Sequence, residues 1–375
     1  MIATPGNAAA DLATGVAPVF PYSQEHEFMT EAAAPATTAS RDADAALTAL
    51  GTPLRPFRFA AAGEGNKQEG GARKFVQTAQ QAEEYGFDTF VVPDHLGEQI
   101  GPIAALGALT QATERIRLGT SVLANGFRHP VVLAKDLATI DVLSKGRLEV
   151  GLGAGWIKEE FENAGIPYES PGVRLEKLDE ALTILDVLLR GQECTFEGKH
   201  YQVRGVKGTP RPRQGPRPPI CTGGGGPKML RLAAKHADII SVVPVTTKNG
   251  KGLLSGITIE KAVEKVDLIK EAAGDRFADI ELNWAITAVV ITDDREKTAE
   301  MALSALDRGL HPNLEVDVQL SVEDILNSPY VAIGTFEEIA EQIRRVRQLT
   351  SMSYVGVFPT QMDAFAPVIP LLRDE

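Results

Sequence analysis

Asp94 and His95 stand directly after the apolar segment Asp88–Val92, which is typical of a buried strand. Where strands and helices alternate along a chain, ligands bind at the carboxyl ends of the strands. A histidine in that place can donate a hydrogen bond or exchange a proton near neutral pH. The pair therefore predicts acid–base chemistry at His95, and a structural histidine is the equal alternative.

A glycine-rich run, GLGAGW, closes a second apolar segment at Gly151–Trp156. Glycines at alternate positions, including Gly153 and Gly155, remove side chains where another group must approach the backbone. The run lacks the complete dinucleotide fingerprint, which is GxGxxG with a later acidic residue. Trp156 offers a flat apolar surface, and Glu159 is a candidate second acid or base. A carboxylate that only favours a helix N-terminus is the alternative for Glu159.

The sequence TGGGGPK closes a third apolar segment at Thr222–Lys228. Proline is favoured at the first position of a helix, so the glycines before it fall at a helix N-terminus. The backbone N–H groups of such a loop bind phosphate, assisted by the helix dipole. A phosphate site is therefore predicted on the following residues, with a flexible turn as the alternative: Thr222, Gly223, Gly224, Gly225 and Gly226.

The three motifs end strands in a regular alternation of strands and helices that begins at Phe57. Expected strands are Phe57–Ala62, Asp88–Val92, Ile116–Leu123, Arg147–Leu152, Pro219–Thr222, Ala237–Val243, Ile280–Ile291 and Tyr354–Phe358. The strands are continuous apolar runs, as expected when both faces of a parallel sheet are buried. Eight units favour an α/β fold of the TIM-type (β/α)8 barrel class, and an open doubly wound sheet is the alternative.

Two segments between these units have their own patterns. Thr195–Val203, TFEGKHYQV, predicts a β-hairpin with Gly198 at its turn. The basic loop between Gln202 and Pro219 is interpreted as a solvated connector and not as a phosphate site, because it leads into the amino-terminal end of a strand. Residues 1–53 are rich in Ala, Thr and Pro and are predicted to be a low-complexity, mostly disordered tail. Residues 54–375 are expected to form the barrel domain.

Composition excludes several classes of protein. The chain has 375 residues, a net charge of −12 and two cysteines. An acidic protein of this kind is not expected to bind nucleic acid, and two cysteines are no disulfide framework. No secretory signal or bilayer-spanning run is evident, so a cytoplasmic protein without a membrane partner is expected. No metal site is predicted, and a homodimer is one assembly open to the chain.

Four segments together resemble the luciferase-like monooxygenase superfamily. They are DTFVVPDHL, IRLGTSVLANGFRHP, GRLEVGLGAGW and PPICTGGGGPKMLRLAAKHADII. The resemblance runs from about Arg55 to Val357 and is strongest to the oxidoreductases that use the 5-deazaflavin coenzyme F420. It implies a TIM-type barrel with insertions, of which the hairpin is one. It also implies a non-prolyl cis peptide at Ser121–Val122, in a bulge that backs the central ring of the coenzyme.

The resemblance also implies roles for individual residues. His95 matches the active-site histidine, Asp94 lies near the coenzyme, and the glycines Gly223–Gly226 match the region that receives the coenzyme phosphate. In one respect the sequence departs from related sugar-phosphate dehydrogenases. Trp156 stands where some of them carry a catalytic glutamate, which argues against a sugar phosphate as substrate.

These observations lead to one expected function and two alternatives. We expect an F420-dependent oxidoreductase that moves a hydride between the coenzyme and an unidentified small organic substrate. The first alternative is an FMN-dependent monooxygenase of the same superfamily, which works with a reductase partner. The second is a flavin-binding protein without turnover. The substrate itself is not predicted, because variable loops and insertions build the pocket.

Overall fold

The computed structural model describes residues 49–63, 71–97, 99–248, 251–254, 256–307, 314–315 and 318–375. Most of the predicted tail, residues 1–48, lies outside these described residues. The last residues assigned to the tail contact the body, since the Ala49 N–H donates to the Gln348 carbonyl at 2.7 Å. The Lys270 ammonium also donates to the Leu50 carbonyl at 2.7 Å. The packed domain therefore begins no later than Ala49.

Strands and helices alternate as the sequence predicts. The strands are β1 (Arg58–Ala62), β2 (Thr89–Val92), β3 (Arg117–Thr120), β4 (Leu123–Ala124), β5 (Leu148–Gly153), β6 (Glu193–Glu197), β7 (Gln202–Lys207), β8 (Ile220–Gly224), β9 (Ile239–Val242), β10 (Thr246–Lys248), β11 (Lys251–Leu253), β12 (Glu281–Ile286), β13 (Ala288–Ile291), β14 (Leu314–Glu315), β15 (Val331–Gly334) and β16 (Met352–Val357). The helices are α1 (Gly71–Glu84), α2 (Pro102–Ala112), α3 (Pro130–Leu143), α4 (Lys158–Asn163), α5 (Pro171–Leu189), α6 (Pro227–His236), α7 (Ile259–Ala273), α8 (Arg295–Asp307), α9 (Val322–Leu326), α10 (Phe336–Thr350), α11 (Met362–Phe365) and α12 (Ile369–Leu372).

Eight parallel strands close into a barrel. Their order around it is β1, β2, β3, β5, β8, β9, β12 and β16. Closure depends on the pairing of β3 with β5, in which Leu118 lies opposite Leu148. The pairing of β1 with β16 completes the ring. The TIM-type barrel is thus confirmed and the open sheet excluded, because an open sheet would leave two of these strands as edges.

The helices surround the barrel and bury one face each. In α1 the apolar residues Phe75, Ala79 and Ala82 recur at helical spacing and are buried. The chain then turns at Gly86, whose φ of +85° favours glycine. Among the described residues, no helix is long and apolar enough to span a bilayer.

Two segments outside the barrel differ in how well the sequence predicted them. The hairpin is confirmed as the antiparallel pair β6 and β7. The single strand expected at Ile280–Ile291 is wrong, because it divides at Thr287 into β12 and β13. Only β12 belongs to the barrel, whereas β13 pairs with β15, which the sequence analysis did not identify. The break is fixed by Thr287, whose N–H donates to the Tyr330 carbonyl at 2.8 Å.

The basic loop before β8 is not solvated throughout. Arg217 is 8% exposed and pairs with Asp186 at 2.6 Å and with Asp238 at 2.5 Å. Asp238 in turn accepts the Ile220 N–H at 2.7 Å. The interpretation of this loop as a connector is therefore wrong at Arg217, which ties α5 to the starts of β8 and β9.

A network of charged side chains occupies the amino-terminal end of the barrel. Glu149 of β5 pairs with Arg58 of β1 and lies 2.6 Å from Nε of Arg117 in β3. Tyr354 donates its hydroxyl to Glu149 at 3.1 Å, and Arg58 also pairs with Glu281 at 2.6 Å. Burial and the nearby Glu149 carboxylate hold the pKa of Tyr354 well above its usual value. This end is closed by groups that satisfy one another.

Candidate active site

His95 and Glu160 form a pair at the carboxyl end of the barrel. Nδ1 of His95 lies 3.0 Å from Oε1 of Glu160, and the two side chains are 15% and 13% exposed. His95 follows β2, whereas Glu160 belongs to α4, which follows β5. Because one ring nitrogen is held by the carboxylate, the other nitrogen, Nε2, is left to face a ligand.

The structure brings Glu160, and not Glu159, to the histidine. Both residues lie in the first turn of α4, but Glu159 is exposed while Glu160 is half-buried. Successive residues of a helix point about 100° apart, so the residue that faces inward depends on where the helix begins. The sequence pattern did not show where α4 begins, so it did not distinguish Glu159 from Glu160. The catalytic assignment of Glu159 stays a prediction, and the geometry favours its neighbour.

Asp94 is occupied by contacts within the protein. Its carboxylate binds Arg128 in a bidentate pair, with distances of 2.5 Å and 2.9 Å. It also accepts the Ala124 N–H at 2.9 Å, and the residue is 4% exposed. Paired carboxylates with backbone donors are rigid. Asp94 thus fixes the segment that follows β4 and positions its neighbour His95.

Trp156 stands at the rim beside His95. The two rings meet edge to face with centroids 6.4 Å apart, and Trp156 is 58% exposed. Its backbone is set by Gly155, whose φ is +76°. A side chain at Gly155 would also meet the ring of Phe161 at 2.7 Å. Gly155 therefore permits the backbone turn that places Trp156 at the mouth of the barrel.

The bulge between β3 and β4 carries the cis peptide Ser121–Val122 that the resemblance implies. Two glycines of β5 make room for it. A Cβ at Gly151 would lie 1.8 Å from the Thr120 carbonyl oxygen, and a Cβ at Gly153 would lie 2.7 Å from a methyl of Val122. The group that approaches the backbone of β5 is thus the bulge itself. Ser121 is exposed at the mouth and Val122 is half-buried.

The glycine loop, Thr222–Gly226, contains two kinds of glycine. A Cβ at Gly223 or Gly225 would collide with backbone oxygens of the neighbouring segment at 2.1 Å. Gly226 has no heavy atom within 4 Å of that position, and it is the N-cap of α6 without a side-chain cap. Thr222 is fully buried and donates its hydroxyl to the Leu152 carbonyl at 2.5 Å. The loop therefore presents backbone donors at Gly226 and uses Thr222 for packing.

Behind this loop lies a buried amine, Lys265 of α7. Its ammonium donates to the Val243 carbonyl at 2.7 Å, just beyond the carboxyl end of β9. Burial lowers the pKa of Lys265 to about 8, although the Glu264 carboxylate raises it and Lys261 lowers it further. A Cβ at Gly225 would lie 3.0 Å from the same Val243 oxygen. The Lys265 ammonium therefore places titratable positive charge close to the glycine loop, since both approach the Val243 carbonyl.

A cavity of about 130 Å³ lies on the other side of the mouth, between the bulge and the start of α5. Asn125, Ala154, Arg174 and Lys177 are among the residues that line it. Asn125 is 3% exposed, and its Oδ1 has no hydrogen-bond partner among the described residues. Nε of Arg174 is likewise buried without a partner. Unpartnered buried polar atoms at a cavity indicate a polar occupant.

Other chemistry finds little support among the described residues. No group of three or more His, Cys, Asp or Glu side chains there could hold a metal ion. Cys221 lies within the barrel, and burial raises its pKa to about 12, so its thiol stays protonated. A thiol in that form is a poor nucleophile.

Sequence reasoning missed several residues that the structure places at the site. Arg174 and Lys265 sit in ordinary helical patterns and gave no motif, whereas Arg128 lies in the quoted segment IRLGTSVLANGFRHP but received no role there. For Arg128 a signal existed, because a buried acid such as Asp94 requires a cation. For Arg174 and Lys265 the relevant partners are distant in sequence.

Comparisons with known proteins agree with the fold. The family model described as luciferase-like monooxygenase matches residues 56–352. An F420-dependent glucose-6-phosphate dehydrogenase of Microbacterium testaceum (strain StLB037) is 35% identical over 191 residues, which cover 49% of this chain and 55% of that relative. A relative of the same name from Intrasporangium calvum is 27% identical over 325 residues, covering 81% of this chain and 96% of the relative.

A solved structure has the same architecture. It is an F420-dependent secondary alcohol dehydrogenase in complex with an F420–acetone adduct, with a TM-score of 0.67 and 21% identity. The match covers 85% of this chain and 100% of that chain. The chain spans about half the length of the first two curated relatives it matches, at 55% of each. Because the family model covers most of the barrel, this chain belongs to the luciferase-like monooxygenase family.

Proposed function

We propose that this chain is an F420-dependent oxidoreductase that transfers a hydride between the deazaflavin coenzyme and a small organic substrate. The observation that carries the proposal is the His95–Glu160 pair, 3.0 Å apart, at the barrel mouth beside the Ser121–Val122 bulge. The names of the relatives support the choice of coenzyme.

The residues at the mouth fit a long, anionic, planar coenzyme. The bulge presents exposed Ser121 and half-buried Val122 at the mouth. These residues would contact the ring system. Gly226 offers an open helix N-terminus, which suits a phosphate. The guanidinium side chain of Arg174, which lines the cavity, gives a second place for an anionic group.

When bound, the coenzyme supplies a ring carbon that accepts or releases a hydride. His95 exchanges the accompanying proton at Nε2 with the substrate oxygen. Glu160 accepts a hydrogen bond from the Nδ1–H of His95, which fixes the tautomer and stabilises the charged imidazole. Asp94 holds the adjoining backbone through Arg128, so the imidazole is positioned before substrate arrives.

Replacement of the histidine tests this role. In His95→Asn we expect the single-turnover hydride rate to fall about 10²–10⁴-fold, which is the usual contribution of a general acid or base. Coenzyme affinity, measured by titration, should change little. The matched control is His129→Asn, because His129 is exposed and caps α3, a task that Asn also performs. An unchanged rate in His95→Asn would return this residue to a structural role.

The neighbouring acids offer a sharper comparison. Glu160→Gln keeps a hydrogen-bonding group but removes the charge, so we expect a slower hydride step and an altered pH profile. Glu159→Gln should have little effect, since its side chain is exposed. The reverse result would support Glu159 as the second acid or base.

An FMN-dependent monooxygenase is the second candidate, favoured by the description of the family itself. The two differ in cofactor and in the need for oxygen. Mass and absorption spectra of the small molecule that copurifies from an F420-producing host distinguish them. Conversion of substrate that requires oxygen and FMN would overturn the F420 assignment. Binding of F420 without hydride transfer to any substrate would indicate a carrier.

A further inference from the structure

Trp156 is exposed in a way that the fold does not require. The sequence holds two tryptophans, and Trp284 is fully buried with its indole N–H donated to the Pro329 carbonyl at 2.9 Å. Trp156 is 58% exposed. A large aromatic side chain held in water is unfavourable, and such residues are enriched where an apolar partner binds. Trp156 therefore suggests a ligand contact.

The backbone beneath Trp156 is held firmly. Its carbonyl accepts the Tyr168 hydroxyl at 3.0 Å, and the ring of Tyr168 packs on Phe161 with centroids 5.4 Å apart. Arg174 covers the Tyr168 ring at 4.1 Å. An exposed side chain on an anchored backbone loses little conformational entropy when it meets a ligand. This geometry is that of a preformed contact surface.

Trp156 also faces the reacting end of the site. Its ring meets that of His95 edge to face, and the residue after His95, Leu96, is 47% exposed. Because Trp156 contacts the His95 ring and Leu96 is its chain neighbour, a substrate bound at His95 would lie within reach of this apolar rim. The rim, Trp156 and Leu96, is therefore in a position to discriminate among substrates.

The charges around the rim disfavour an anionic substrate. Two of the nearby cations are already paired, Arg128 with Asp94 and Lys158 with Glu162. The local side chains comprise three cations, Arg128, Lys158 and Arg174, and four carboxylates, Asp94, Glu159, Glu160 and Glu162. A doubly charged phosphate group would meet net repulsion here. A neutral molecule would not.

We propose that Trp156 is a specificity-determining residue and that the substrate is a neutral alcohol or carbonyl compound with an apolar body, and not a phosphorylated sugar. The inference rests on the proposed function, because the apolar body must be held while the oxygen-bearing carbon exchanges its hydride. It sets this chain apart from the activity named for its relatives.

Tryptophan fluorescence tests the contact directly. Acrylamide quenches exposed indoles, so the quenching of the coenzyme-loaded chain reports on Trp156, while buried Trp284 stays silent. We expect saturating cyclohexanol, a neutral secondary alcohol, to reduce the quenching constant at least about twofold. Glucose 6-phosphate should leave it unchanged. Protection by glucose 6-phosphate alone, or by neither compound, would overturn the inference.

Kinetics with the same two compounds provide the second measurement. In Trp156→Ala we expect the KM for cyclohexanol to rise about tenfold or more, as for loss of one apolar pocket contact, with kcat and coenzyme Kd nearly unchanged. Trp156→Phe should keep most of the affinity. Met301→Ala is the matched control, since Met301 is equally exposed at 58% but lies on α8 outside the barrel. An unchanged KM in Trp156→Ala would contradict the inference.

The two proposals fail in different ways. A chain that bound no F420 in a titration would overturn the proposed function and, with it, this inference. A chain that bound F420 and reduced it with glucose 6-phosphate in preference to cyclohexanol would keep the function and remove the inference.

Discussion

The two ends of the barrel use their side chains in opposite ways. At the amino-terminal end Glu149, Arg58, Arg117 and Tyr354 fill the interior and satisfy one another's charges and hydrogen bonds. At the carboxyl end β5 and β8 finish in glycine, Ser121 of the bulge is exposed, and polar atoms such as Asn125 Oδ1 lack hydrogen-bond partners among the described residues.

The amino-terminal end therefore contributes mainly to stability, and the carboxyl end mainly to ligand binding. A buried charge whose partner is removed is left uncompensated, which destabilises the fold. Substitution of any member of the amino-terminal network should therefore lower the free energy of unfolding. Glycines and open helix ends contribute little to stability and leave donors for a ligand. We therefore expect substitutions at the first end to change unfolding and substitutions at the second to change binding.

Removal of the central acid should have the largest effect. Glu149→Gln leaves the Arg58 and Arg117 guanidiniums without their shared counter-charge and leaves Tyr354 with a weaker acceptor. We expect a loss of about 3 kcal/mol in the free energy of unfolding, at the low end for a broken buried pair because the arginines are partly exposed. Urea denaturation measures it.

The same change at the other end is the control. Glu160→Gln should alter the free energy of unfolding by less than about 1 kcal/mol, since the pair is near the surface. Equal losses in the two variants would break the distinction between the ends.

A helix cap tests the binding role of the mouth with a smaller effect. Gly226→Asp supplies a good N-cap and a charge that suits the helix dipole, so stability should rise by a few tenths of a kcal/mol. The same carboxylate would repel a phosphate, so coenzyme affinity should fall about tenfold or more. Calorimetry and coenzyme titration measure the two quantities.

Gly101 provides a matched control for this cap. It is also an uncapped N-cap glycine with open space around it, and it precedes Pro102 of α2. Gly101→Asp should stabilise the chain without loss of coenzyme affinity. If Gly226→Asp also kept full affinity, the phosphate would have to lie elsewhere, and Arg174→Gln would then test the cavity.

The last comparison concerns pH. Burial lowers the pKa of Lys265 to about 8 in the folded chain, from 10.5 when unfolded. Between about pH 8 and 10.5 the unfolded chain binds this proton and the folded chain does not, so the free energy of unfolding rises with pH in that range. It is lowest below about pH 8, where both states are protonated. The slope should be below about 1.4 kcal/mol per pH unit. Lys265→Met should flatten that slope in thermal melts, and an unchanged slope would contradict the assignment.

Much of the architecture could be predicted because it depends on local pattern. Continuous apolar runs indicated all eight barrel strands, and proline before an apolar period indicated the starts of α3 and α6. The cis peptide at Ser121–Val122 was predicted from resemblance and is confirmed. The hairpin followed from its turn residue.

What failed depends on contacts between distant residues. The division of one long apolar run at Thr287 is set by Tyr330, some forty positions later, which no local period encodes. The choice between Glu159 and Glu160 depends on the rotation of α4 about its axis. The role of Arg217 depends on two aspartates from different elements.

The close packing of β5 against the bulge also limits how the two segments can change over evolution or in a designed library. At Gly153 the obstacle to a side chain is a methyl group of Val122, whereas at Gly151 it is a backbone oxygen. Gly153→Ala should therefore be accepted once Val122→Ala is present, and each position should be varied with the other. No substitution at position 120 removes the backbone carbonyl, so no second change makes room for a side chain at Gly151. Gly153 can thus change together with Val122, whereas Gly151 has to remain glycine.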